Sequence, residues 1–114
     1  MALDIDQLMT DMTTAATQVL GSDVTTLRGF SDRQMKAIAQ QAAFIEAGII
    51  SGQITDETKE FFLDSLENMV LSFVQTLRGL LTATIEKVWN TIVLVIWKAI
   101  ATVAGITLPT PSHA

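Results

Sequence analysis

From Thr55 to Gly105 the chain contains no proline and no Asn-Gly or Asp-Gly pair. Along it Val70, Val74, Leu77, Leu81, Ile85, Val88, Ile92, Ile96, Ala99 and Val103 recur at intervals of three and four. That is the period of a helix with one apolar face. The average is about 3.67 residues per turn, which calls for little supercoiling or a slightly right-handed one. Thr55 suits an N-cap, and Asp56 and Glu57 suit the positive end of the helix dipole. The pattern predicts one helix of roughly 75 Å at 1.5 Å per residue. Pro109 and Pro111 forbid its continuation and leave a tail over 107–114.

Two shorter helices precede it, within residues 1–54. Asp4 followed by Gln7 resembles a capping box, Ile5, Leu8, Met12 and Val19 share a face, and Gly21 supplies a stop. Ser31 followed by Gln34 is a second capping box. Met35, Ile38, Ala42, Ile45 and Ile49 then form a seam that ends at Gly52. Alanines at 37, 39, 42, 43 and 47 allow close approach of another helix. No segment alternates apolar and polar residues as a half-buried strand does.

Residues 22–30, SDVTTLRGF, match residues 72–80, SFVQTLRGL, at six of nine positions. Ser31 and Asp32 follow Gly29 as a helix start, whereas Leu80 and Leu81 follow Gly79 with no cap. This difference reads Gly29 as a stop and Gly79 as a glycine tolerated inside the long helix, at a cost of about 1 kcal/mol relative to alanine. The match itself reads as chance more readily than as duplication.

A compact chain of 114 residues has a radius of gyration of about 13 Å, and a 75 Å rod does not fit within it. The expected fold is therefore all-α: two short N-terminal helices packed on the first half of one very long C-terminal helix, in an oligomeric helical bundle. The long helix occupies 55–106, and its apolar half, 81–106, is left without cover from its own chain. Such a surface marks a partner chain or a membrane. The residues expected to form it are Leu81, Ile85, Val88, Trp89, Ile92, Val93, Val95, Ile96, Trp97, Ile100 and Val103.

A membrane span is only marginally supported. Val88 to Ile106 covers about 28 Å against a hydrocarbon core of about 30 Å. Lys98 lies near its middle, where a cation costs roughly 2.5–3.5 kcal/mol. Lys87, Asn90, Thr91, Lys98 and Thr102 form a narrow polar stripe interrupted by Leu94. A stripe of this kind can face water from a bundle surface, line a pore or lie in an interface. Lys87 and Lys98 are accordingly the candidate pore or headgroup contacts.

Composition narrows the function classes. Acids outnumber bases 12 to 7, for a net charge of −5, so nucleic acid is not an expected partner. The charge alternates along the chain: residues 1–27 carry four acids and no base, and 28–36 are basic. Residues 46–67 carry six acids with Lys59 alone, and the stretch from Arg78 onward is basic again. There is no cysteine, and the only histidine is His113, so thiol chemistry, a His-dependent triad and a His or Cys metal cluster cannot be assembled. Carboxylates such as Glu60 and Asp64 read as solvated helix surface, the methionines as core filler, and Trp89 and Trp97 as packing or interface anchors. No enzyme activity, cofactor or metal is expected. Residues 1–12 contain three aspartates and no base, so no signal peptide is expected.

The expected function is a non-enzymatic structural or assembly protein that self-associates through its long helix. It would contact other subunits as well and anchor in a membrane or a hydrophobic helical assembly, with its N-terminal part cytoplasmic or interior. Two alternatives are a soluble oligomeric scaffold or accessory subunit without lipid contact, and a holin-like pore former.

Overall fold

A computed structural model describes residues 3–105. Among the described residues there are four helices of similar length: α1 Ile5–Leu20, α2 Asp32–Ser51, α3 Asp56–Thr76 and α4 Thr82–Ala104, with a short 3-10 turn at Val24–Thr26. They run up, down, up and down. α4 touches all three other helices, while α1 and α3 lie on opposite sides of the α2–α4 pair. The radius of gyration is 13.7 Å and the principal extents are 42 × 26 × 19 Å.

Local chemistry sets most of the ends. Asp4 accepts a hydrogen bond from the Gln7 N–H at 3.1 Å, and Ser31 Oγ accepts from the Gln34 N–H at 3.2 Å. At the start of α3, Thr58 Oγ1 accepts from the Thr55 N–H at 3.0 Å. Gly21, Gly52 and Gly105 close α1, α2 and α4 in the left-handed conformation.

The single very long C-terminal helix is not formed. The 55–106 stretch breaks at 77–81, and α4 folds back along α3. Gly79 is not a tolerated interior glycine: it sits at φ +81°, and Gly29 at φ +88°. The two TLRG segments share a backbone path up to the glycine, although only the first closes with a bond, from the Phe30 N–H to the Leu27 carbonyl. Leu27 and Leu77 are both extended residues whose N–H groups bond back three residues, to Val24 and Val74. Each glycine is followed three residues later by the first residue of a helix, Asp32 or Thr82.

The two turns also lie against each other. The Arg78 N–H donates to the Arg28 carbonyl at 2.8 Å, and Thr76 Oγ1 lies 3.0 Å from the Gly29 carbonyl. The 76–78 segment is thus tied to residues about fifty positions earlier in the chain. Leu77 is buried in the joint. Leu81, at the start of α4, makes no side-chain capping bond, so the turn is held by the non-local bonds at Thr76 and Arg78 and not by a local cap.

Folding back removes the premise that 81–106 lacks cover within the chain. α1 runs antiparallel to α4, so Leu3 and Leu8 lie beside Val95, Ala99 and Val103. Val88, Ile92, Val93, Ile96 and Ile100 are fully buried, together with Met12, Met35, Ile38, Ile45, Leu66 and Phe73. Phe30 meets Phe73 edge to face, with centroids 5.8 Å apart. Burial of each large side chain contributes roughly 1.5–3 kcal/mol, so α4 is the helix around which the core is built. Ala39 and Ala42 are fully buried on α2, the other helix of the central pair. Ile106 and the 107–114 tail, with Pro109, Pro111 and His113, lie outside the described residues.

Candidate functional site

The eleven apolar residues expected at an interface divide into three groups. Val88, Ile92, Val93, Ile96, Trp97 and Ile100 are buried. Ile85, Trp89, Val95 and Val103 are half-buried, and the Trp89 indole N–H donates to the Glu67 carbonyl of α3 at 3.1 Å. Leu81 alone is exposed, at 77%. Lys87, Leu94, Lys98 and Thr102 face outward along one side of α4, the surface stripe of a bundle helix.

The largest exposed apolar groups lie elsewhere. Phe61 is 71% exposed and Phe44 58%, against buried or half-buried positions for the other phenylalanines. Phe44 on α2 lies 6.4 Å from Phe62 on α3, centroid to centroid, and Phe62 meets Phe61 edge to face at 5.5 Å. Three of the chain's five phenylalanines thus form one aromatic patch across the α2–α3 surface. Exposed Glu57, Glu60 and Asp64 surround it on α3. Glu57 and Asp64, at i−4 and i+3, lie on the same helical face as Phe61.

This patch is not visible in the apolar period. The α3 core positions are Leu63, Leu66, Val70, Phe73 and Val74, and Phe61 falls outside that series, on the polar side. A large aromatic out of phase with the core, set among acids, is the signal that identifies it.

The up-and-down path also sorts the charge. The end containing the two TLRG turns and the first turns of α2 and α4 carries Arg28, Arg33, Lys36, Arg78 and Lys87 against Asp23, Asp32 and Glu86. The opposite end carries Asp4, Asp6, Asp56, Glu57, Glu60 and Asp64 against Lys59 and Lys98. Alternation along the chain becomes segregation in space, with a basic end and an acidic end. Among the described residues the ion pair present is Lys59–Asp56 at 3.4 Å, so the five cations of the basic end have no acid bound to them. Asp23 is held below its ordinary carboxylate range by hydrogen bonds from the Thr25 hydroxyl and then the Thr25 N–H.

An open groove of about 450 Å³ runs between the start of α1 and the end of α4. Its floor is apolar. On its rim Asp4 is occupied as a helix cap, and Asp11 accepts from the Gln7 side chain at 2.9 Å. Among the described residues no three His, Cys, Asp or Glu side chains come together as a metal site.

Among the described residues three buried side-chain polar atoms have no hydrogen-bond partner: Glu46 Oε1, Asn90 Oδ1 and Trp97 Nε1. Glu46 is 2% exposed on α2. An unsatisfied buried acceptor costs about 1–3 kcal/mol. Glu46→Leu is therefore expected to raise stability by about 1–2 kcal/mol, read as a higher urea midpoint at unchanged slope. A lower midpoint would mean that the carboxylate contributes to the fold.

Comparison with protein-family models, with curated proteins and with solved structures found no match for this chain.

Proposed function

We propose that this chain is a non-enzymatic assembly protein that self-associates and docks on other subunits through the Phe44–Phe61–Phe62 patch. The observation that carries this reading is the patch itself. A soluble monomer gains little from placing two aromatic rings in water beside a half-buried third, and contiguous exposed apolar surface rimmed by polar residues marks protein contact. Aromatic residues also dominate the energetics of protein interfaces. The earlier expectation placed this contact on the second half of the long helix. With α4 in the core, the patch on α2 and α3 is the better candidate.

Sedimentation velocity on the full chain tests the reading. The expected result is a weight-average mass that rises above 12.4 kDa with concentration. Phe61→Ser with Phe44→Ser should return it to the monomer value and leave the helical circular dichroism unchanged. A wild-type chain that stays monomeric at every concentration would contradict self-association.

A second reading rests on α4. Its 23 residues, with a mean hydropathy of 1.4 over the most apolar window, are long and apolar enough to cross a membrane. In this reading the bundle opens and α4 enters lipid, giving the membrane association that its composition suggests. Retention of the chain on vesicles after an alkaline wash would support it, and a chain left wholly in the supernatant would oppose it.

A further inference from the structure

We propose that the aromatic patch of one copy receives the basic end of a second copy, so that the chain assembles head to tail. The inference rests on the reading of the patch as a self-association surface and adds what occupies it.

Chemical complementarity within one molecule carries the argument. The patch is apolar at its centre and acidic at its rim: Phe44 and Phe61 are exposed, with Glu57 and Glu60 beside them. Its counterpart needs an exposed apolar group flanked by cations. The basic end provides one. Leu81, at 77%, is more exposed than any other large apolar residue described. It follows Arg78 by three residues, and the Arg78 backbone is bonded to that of Arg28.

That bond joins the two turns through their backbones and puts both arginines at the same end of the bundle. Both arginines are exposed, and neither has an ion pair among the described residues. Carboxylates of a second copy would pair with these cations, as opposed potentials do across protein interfaces. The patch cannot serve the same chain's own Leu81, because α3 carries Phe61 near one end of the bundle and Leu81 lies at the other.

The two surfaces are different, so the contact is heterologous. A heterologous contact leaves one patch and one basic end unused at the two extremities of every open assembly. Growth therefore continues until a ring closes or the supply is exhausted. Such an assembly is salt-sensitive, because its charged rims lie near water, where the Debye length falls from about 10 Å at 0.1 M to about 3 Å at 1 M salt.

Mixing two surface variants tests the proposal. Phe61→Ser removes the centre of the patch and keeps the basic end. Leu81→Ser does the opposite. Each variant alone is expected to be monomeric, with self-association weakened at least tenfold. An equimolar mixture should form a species of twice the chain mass and nothing larger, because each copy retains only one working surface. Raising salt should dissociate it.

If Leu81→Ser associates as the wild type does while Phe61→Ser does not, the patch meets another patch. The head-to-tail arrangement is then wrong, although self-association stands. If the wild type itself stays monomeric at low salt and high concentration, both fail. Binding of a monomeric wild type to anionic vesicles through Arg28 and Arg78 would likewise overturn the proposal and assign the basic end to lipid.

Discussion

Gly29→Ala is expected to destabilise the chain by about 3–5 kcal/mol, a large share of a total domain stability of about 5–15 kcal/mol. Two effects combine. At φ +88° an alanine costs about 1–2 kcal/mol relative to glycine. Its Cβ would also stand 1.8 Å from the Thr76 carbonyl oxygen, an overlap with backbone that no rotamer can relieve. The α2 and α3 ends would have to separate, and the Arg78–Arg28 bond would be lost with them.

Gly79 provides the control. Its φ is +81°, and an added Cβ meets nothing within 4 Å. Gly79→Ala should therefore cost only the conformational term of about 1–2 kcal/mol. Thermal melts of the two variants separate the contributions. Equal losses would mean that the two TLRG turns do not pack as described.

Ile96→Asp is the second large effect. Ile96 is fully buried, whereas Leu94, two residues earlier on the same helix, is 45% exposed. A carboxylate at 96 has no partner in the core, and a buried charge left unpaired costs about 3–5 kcal/mol or more. The variant should be largely unfolded by circular dichroism. Leu94→Asp faces water and should change stability by no more than about 0.5–1 kcal/mol. A helix surrounded by lipid would reject both substitutions alike, so the difference between them reports which medium surrounds α4.

Much of the secondary structure was legible because its signals are local. Asp4, Ser31 and Thr55 stand at the starts of α1, α2 and α3, and Gly21 and Gly52 at the ends of α1 and α2. Each is a side-chain or backbone preference that acts over three or four residues. The all-α class followed from the same signals.

The break at 77–81 was not legible because what supports it is non-local. Leu81 is a poor N-cap, and the apolar spacing runs through the break without losing phase. Nothing near Gly79 distinguishes a turn from a helix interior. The decisive partner is the Arg28–Gly29 segment, and only the matching TLRG sequence pointed to it. Once the chain folds back there, the other three helices cover the apolar half of the former rod, and the surface expected of Val88, Ile92, Val93 and Ile96 becomes core. The same step exposes a different surface. Phe44 and Phe61 had no part in any apolar series, so a search for regular spacing passed over them.

All of these surfaces follow from α4 folding back along α3 instead of extending it. Double electron–electron resonance tests this directly, and a chain without cysteine allows unique labels at Glu60→Cys and Thr102→Cys, both exposed. Measured in spin-diluted chains, neighbouring antiparallel helices about 8–10 Å apart, with an axial offset of about 9 Å, should give a distance near 15–25 Å. A distance of about 63 Å, the span of one unbroken helix between these positions, would contradict the fold and the surfaces derived from it.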